Sequence, residues 1–313
     1  MASSVSPRVL VVDPFYPLET VRELLGGIPA EFAGRPWEGN DVVALLTGPD
    51  NPVSEADLDR LPALRIVSSC SVGYDHLPLE ACRQRGIWAT NVPDYCVEEM
   101  ADSALALLLS LLRGVVVLDR TVREGTWDWT AAGPIGKLRD VRLGLIGFGR
   151  IGRALAARAA ALGMDVWASD PFIPAEAIAA AGVRPAPLDE LLASCAAFSL
   201  HAPLTPETQG IIGEHELARM PEGAVLVNTS RAALVDQDAL LGALASGRLA
   251  AAALDVLPAE PPTAEHPLPV APNLVVTPHA AWYSPEAEKA AYRRAVLAVR
   301  VALDGTRPAE SLT

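Results

Sequence analysis

Cysteine is scarce in this chain, with four in 313 residues: Cys70, Cys82, Cys96 and Cys195. No two of them form a Cys-x-x-Cys pair or take zinc-ligand spacing, so neither a metal site nor a disulfide framework is expected. They read as buried thiols in a reducing compartment. Basic residues are also few. With 25 Lys and Arg against 38 Asp and Glu, the net charge is −13 and the pI about 4.8. That balance argues against nucleic acid or an anionic membrane as partner, since both call for a basic face. Long apolar runs are missing too. The most apolar stretch, Ala104 to Leu112, is too short to span a bilayer. The short run Val9–Val12 lacks the layout of a signal peptide. A soluble cytoplasmic protein is expected.

What is present is the composition of a well-cored globular chain, 50% hydrophobic and 20% charged, at a length that suggests two domains. In the first 96 residues, short β-rich runs (Val9–Val12, Val42–Leu46, Arg65–Ser69, Ile87–Ala89) alternate with helical patterns. The helical patterns are Leu18–Leu25, Glu55–Leu61 capped by Ser54, and Leu79–Arg85. This alternation predicts parallel βα units. A long helix is expected from about Val97 to Glu124, then an irregular Trp-rich segment to Asp140. A second βα series follows, with strands near 143–146, 165–168, 196–200, 224–228, 250–254 and 274–276. Ser284-Pro285 reads as an N-cap and first-turn pair opening a final helix that ends near Gly305.

The strand at 143–146 runs into Gly147-Phe148-Gly149-Arg150-Ile151-Gly152, and a helix opens there. The next strand ends at an acid, Asp170. In this context the Gly-x-Gly-x-x-Gly string is a dinucleotide fingerprint. Gly147 allows the tight turn, Gly149 lets backbone approach a pyrophosphate, and Gly152 lets helix and strand pack closely. The pyrophosphate would sit on free N–H groups at the helix N-terminus. Asp170 is placed to accept from an adenosine ribose 2′-hydroxyl and to repel a 2′-phosphate, which points to NAD. No such fingerprint follows the first strand, so the first half is not the cofactor domain.

Ligands of open parallel sheets bind beyond the carboxyl ends of the strands. In the second series those ends carry His201, Asn228-Thr229-Ser230-Arg231, Asp255 to Glu260, and Pro278-His279. Hydride transfer to a 2-keto acid needs these residue types. A guanidinium grips the carboxylate and polarises the keto oxygen. An imidazolium donates the accompanying proton, and a carboxylate behind it favours the charged ring. His76, His215 and His266 fall in loop or surface patterns. His201 and His279 are the two candidates for proton donor; His201 precedes Ala202-Pro203, as if shaping a wall for the dinucleotide, and the residues favour His279.

Together these segments resemble the D-isomer-specific 2-hydroxyacid dehydrogenase family. Asn228 to Asp236 is similar to the family's segment around its catalytic arginine, Ala253 to Pro261 to the segment carrying its glutamate, and Thr277-Pro278-His279 to the segment with its acid/base histidine. Ser71 to Leu77 resembles the loop whose backbone N–H groups bind the substrate carboxylate. The resemblance extends from about Val42 to Asp304. It implies catalysis by Arg231, Glu260 and His279, and carboxylate binding by Val72 and Gly73. Cofactor contacts are implied for Ala202 to Thr208 (with Pro203), Thr229, Ser230 and Asp255, the last at the carboxamide. The implied fold is α/β with two doubly wound parallel-sheet domains. A Rossmann NAD-binding domain (98–286) is inserted in a flavodoxin-like substrate domain (1–97 with 287–313). A small 2-keto or 2-hydroxy acid is the implied substrate, and the helix and irregular segment after Val97 would form a homodimer interface.

Two positions depart from the family pattern. Ala232-Ala233 stands where Gly-Gly is frequent, which stiffens the turn. Trp282 replaces the usual glycine after His-x-Ala, and His279-Ala-Ala-Trp-Tyr-Ser284 resembles the C-terminal-binding protein branch, whose animal members are corepressors. A rim tryptophan would narrow the substrate site and give it an apolar wall. An NAD(H)-regulated binding protein is therefore one alternative, opposed by the complete Arg, Glu and His set. A phosphite or formate dehydrogenase of the same fold is another. Formate enzymes pair the histidine with glutamine, so Glu260 stands against formate.

Overall fold

The computed structural model describes residues 6–263, 268, 271 and 273–313. The chain divides into two compact units, 1–95 with 284–313, and 96–283; the divisions expected from sequence, at 97/98 and 286/287, lie two or three residues later. His266 lies outside the described residues.

The first unit holds β1 (Arg8–Val11), β2 (Ala30–Phe32), β3 (Val42–Thr47), β4 (Ile66–Ser69) and β5 (Trp88–Thr90). They form a parallel sheet in the order β2-β1-β3-β4-β5, the flavodoxin-like order. Alternate residues face opposite sides, so β1, β3 and β4 each feed two cores. Val9, Val11, Ala44, Leu46 and Ile66 pack with Val21 and Leu25 and with Ala291, Ala295, Val296 and Val299 of the final helix. Leu10, Val42, Leu45 and Val67 pack with Leu58, Leu61, Ala81 and Cys82 on the other side. Burial on both faces is why these strands read as nearly unbroken apolar runs. The final helix, Pro285–Leu303, starts as expected, with Ser284 Oγ accepting from the Ala287 N–H. Arg65 Nη2 donates to the Ala302 carbonyl near its C-terminus.

The second unit holds β6 (Arg142–Ile146), β7 (Asp165–Ser169), β8 (Arg184–Pro185), β9 (Ala197–Leu200), β10 (Ala224–Asn228), β11 (Leu249–Leu254) and β12 (Leu274–Val276). All are parallel, in the order β12-β11-β10-β9-β6-β7-β8. The order reverses between β6 and β9. That is a topological switch point, where a doubly wound sheet opens a crevice for its ligand. One face is covered by the helices Val97–Leu112 and Arg150–Ala161, through Ala101, Ala104, Leu108, Leu155 and Ala159. Leu191, Leu217, Leu240 and Leu244 cover the other.

Four expectations are corrected. The helix expected from Val97 to Glu124 is two, Val97–Leu112 and Val115–Arg123, bent by 60°. Gly114 makes the break: it has φ +61°, and a Cβ there would lie 2.4 Å from Ala132 Cβ. The helices at Glu55–Asp59 and Leu79–Gln84 end earlier than expected. The short edge strands β2 and β8 carry too few residues to show a period. Finally, His76 is buried, not a surface residue. No single described helix is long and apolar enough to cross a membrane.

Candidate active site

The glycine turn is built as its sequence implies. Gly147 takes φ +96°, and a Cβ there would lie 2.6 Å from the His201 carbonyl carbon, so the turn after β6 lies against the turn after β9. A Cβ on Gly152 would fall 2.5 Å from the Gly147 oxygen. At Gly149 a Cβ would meet nothing within 4 Å, so this glycine keeps open the space a pyrophosphate would use. The helix Arg150–Ala161 begins with no side-chain cap, and the Gly149, Arg150 and Ile151 N–H groups have no acceptor among the described residues. Asp170 does more than wait for a ribose. Its Oδ2 accepts from the Phe148 N–H at 2.8 Å and its Oδ1 from the Phe172 N–H at 2.9 Å. The acid thus fixes the glycine loop while each oxygen keeps a lone pair.

Two buried polar atoms at this edge have no described partner, His201 Nδ1 and Thr229 Oγ1. Buried polar groups are rarely left unsatisfied, so these atoms fit a site completed by a polar ligand. With the open glycine and the uncapped helix, they fit NAD. Ala202 and Pro203 continue from His201, and Thr208 shapes this loop: its hydroxyl donates to the Pro203 carbonyl at 2.6 Å and accepts from the Thr205 N–H.

Arg231 follows β10 on a turn latched by Asn228. This fully buried amide donates from Nδ2 to the Arg231 carbonyl at 2.8 Å and accepts at Oδ1 from the Ser230 N–H. Ser230 Oγ donates to the Leu200 carbonyl at 2.7 Å, tying the turn to the end of β9. Asn228 was not singled out from the sequence. The signal was available, because Asn accepting from the N–H two residues on is an Asx turn.

His279 follows β12 with φ +52°, a left-handed conformation uncommon for a residue with a side chain. Asp255, almost fully buried, holds it there. The Asp255 carbonyl accepts from the His279 N–H at 2.9 Å. Its carboxylate accepts from Thr277 Oγ1 at 2.5 Å and from the Ala280 and Ala281 N–H groups, both at 2.9 Å. Asp255 is thus a staple for the histidine turn, with two donors on Oδ1 and one on Oδ2, which keeps a lone pair. Ser103 Oγ, on the helix Val97–Leu112, donates to the Ala281 carbonyl at 3.1 Å from the other side. Neither Thr277 nor Ser103 carries a sequence signal for this work.

Glu260 meets the histidine ring, with Oε2 2.6 Å from His279 Nδ1, while its Oε1 accepts from the Leu257 N–H at 2.7 Å. The hydrogen bond to Glu260 holds the His279 pKa above its ordinary value, outweighing the cost of burial and the repulsion of the nearby Arg231 charge. Burial works against the Glu260 carboxylate, but the bonds from His279 and Leu257 overcome it and keep its pKa low. His201 is the opposite case: burial pushes its pKa down to about 4. Of these two rings, His279 is the one whose charged form its surroundings favour. Beyond it, Trp282 is half-buried and edge-on to Tyr283, with ring centroids 5.6 Å apart.

In the first unit, the loop after β4 presents Val72 and Gly73, whose N–H groups have no acceptor among the described residues. Their carbonyls are held from behind, Val72 by Asn91 Nδ2 and Gly73 by Ser71 Oγ, each at 2.6 Å.

Residues 105–281 match the model of the D-isomer specific 2-hydroxyacid dehydrogenase NAD binding domain. The glyoxylate reductase of Korarchaeum cryptofilum is 44% identical over 78% of this chain and 74% of its own length. A D-3-phosphoglycerate dehydrogenase of Archaeoglobus fulgidus is 40% identical over 72% of this chain, a match that spans 42% of the relative. Among solved structures, the D-lactate dehydrogenase of Aquifex aeolicus, crystallised with NAD and lactic acid, superposes with a TM-score of 0.86 at 27% identity. That match covers 95% of this chain and 96% of that one. The chain belongs to the family of NAD-dependent, D-isomer-specific 2-hydroxyacid dehydrogenases.

Proposed function

We propose that this enzyme interconverts a 2-keto acid and a D-2-hydroxy acid, with Arg231, Glu260 and His279 as its working residues. The observation that carries this reading is the 2.6 Å contact between Glu260 Oε2 and His279 Nδ1, which raises the imidazole's proton affinity despite its burial and the nearby Arg231 charge. Bound NAD(H) supplies or accepts the hydride. His279 gives its Nε2 proton to the developing alkoxide during reduction and takes it back during oxidation. Glu260 fixes Nδ1 as the donor to itself, which leaves Nε2 facing the reacting oxygen. Arg231 binds the carboxylate and polarises the keto oxygen, while the Val72 and Gly73 N–H groups supply further donors to the carboxylate.

For substrate, the glyoxylate reductase and D-lactate dehydrogenase among its relatives point to short 2-keto acids. Trp282 favours a longer apolar side chain, because an indole at the rim gives a methylene a surface to bury. Asp170 favours NADH over NADPH. The exposed Val115, Val122, Trp127 and Trp129, just past the helix Val97–Leu112, suit the homodimer that the family resemblance implies.

The test is NADH oxidation with a panel running from glyoxylate and pyruvate to keto acids with extended apolar or thioether side chains, and with 3-phosphoglycerate in the oxidative direction. Arg231→Lys keeps the charge but loses the planar fork. It should raise KM for the keto acid strongly and lower kcat. Near-native kinetics would remove Arg231 from the carboxylate.

A further inference from the structure

The loop after β4 is held by a chain of hydrogen bonds whose direction is fixed by proton counting. Ser71 Oγ donates to the Gly73 carbonyl at 2.6 Å. A serine hydroxyl has one proton to give, so Ser71 must accept at its 2.8 Å contact with Ser69 Oγ. Ser69 has then given its own proton, and it must accept at its 2.8 Å contact with His76 Nε2. The hydrogen on that last bond therefore belongs to His76, which carries it on Nε2. The chain runs one way, from His76 through Ser69 and Ser71 to Gly73. Ser69 is fully buried and Ser71 and His76 nearly so, which makes a broken link costly because water does not replace it.

The chain ends where a latch matters most. Glycine has the greatest freedom to rotate, and the Gly73 carbonyl fixes the loop's far peptide plane. Asn91, also buried, fixes the plane before it through the Val72 carbonyl. Because a trans peptide points N–H opposite to C=O, pinning the Val72 carbonyl aims the Gly73 N–H away from Asn91. The carbonyls are occupied from behind, and the N–H groups are left to donate.

We propose that His76 is a positioning residue for substrate carboxylate binding, acting through Ser69 and Ser71 to hold Gly73 without touching substrate. This rests on the reading of Val72 and Gly73 as carboxylate donors. A buried histidine outside the His279 site thereby serves as a fixed Nε2–H donor.

The experiment combines steady-state kinetics with NMR of the full-length protein labelled with 15N-histidine. The wild type should show a slowly exchanging His76 Nε2–H signal, assigned by its loss in His76→Leu and perturbed in Ser69→Ala. His76→Leu should raise KM for the 2-keto acid, and the inhibition constant of oxamate, by about tenfold, equivalent to ~1.4 kcal/mol. Its kcat and NADH affinity should change far less. His76→Gln, which again offers an N–H near the Nε2 position, should recover most of the KM. An Nδ1–H tautomer at His76 would overturn the chain whatever the activity, even if the leucine variant failed to fold. An unmoved KM in His76→Leu, or equal KM losses in the leucine and glutamine variants, would overturn the positioning role. Failure of the functional reading is a separate result: a wild type with the expected His76 signal that neither reduces a 2-keto acid nor binds oxamate would remove the carboxylate role with it.

Discussion

His201 and His279 follow parallel strands of one sheet, both at carboxyl ends, and the structure gives them opposite proton affinities. His201 has a serine for a partner, Ser199 Oγ at 2.9 Å from Nε2, and burial pushes its pKa down to about 4. His279 has Glu260 at 2.6 Å, and its pKa is raised. Position at the ligand edge therefore does not make a histidine an acid. A carboxylate behind the ring does, because it stabilises the charged form that burial alone would penalise. The low proton affinity of His201 suits the wall of a cofactor site, and the raised affinity of His279 suits proton donation.

The largest effect that would break this contrast is on turnover. His279→Ala should lower kcat on the order of 10²–10⁴-fold, the range for a positioned general acid, with little change in NADH affinity. His201→Ala should do the reverse, weakening NADH binding more than it slows turnover. Equal losses of kcat in the two variants would erase the distinction. A smaller effect is expected beyond His279, at Trp282. If the indole lines the substrate site, Trp282→Gly should cut the preference for an extended apolar keto acid over glyoxylate by about 10–200-fold, the usual discrimination for one methylene. A change in Tm with an unchanged substrate ranking would make Trp282 a packing residue only. Smaller still is the effect at the adenosine end. Asp170→Ser should weaken NADH by about tenfold and narrow the preference over NADPH, in line with loss of a hydrogen bond to a charged group. Equal use of both cofactors by the unaltered enzyme would remove Asp170 from cofactor choice.

Much of this was legible in the sequence where the signal is local. The fingerprint glycines, the Ser284 cap, the helix Leu18–Leu25 and most strands follow from spacing and turn chemistry within a few residues. Arg231, Glu260 and His279 could be picked out from strand ends, but the residues alone favoured His279 over His201 only modestly. What decides it is the burial of His201 and the contact of Glu260 with the His279 ring, neither visible as a pattern. The break at Gly114 was hidden because apolar residues continue on both sides of it, and the close approach of Ala132 that makes a glycine necessary there exists only in the folded chain. Asp255 reads as a loop acid and turns out to staple a turn more than twenty residues on. His76 lies in a loop, as its sequence suggested, but its burial and its contact with Ser69 at the end of β4 arise from long-range packing that leaves no local pattern.

The most direct test of the central claim is the pH dependence of kcat/KM for NADH-driven keto-acid reduction in the wild type and in Glu260→Gln. The protonated imidazole is the donor, so reduction should fall as pH rises through the His279 pKa. Glu260 holds that pKa above the ordinary value of ~6.5, and its hydrogen bond is the largest cause of the shift. The wild-type alkaline limb should therefore lie above that value, and Glu260→Gln should move it to lower pH. A limb that stays in place when the carboxylate is removed would contradict the pairing of Glu260 with His279 as the acid of this enzyme.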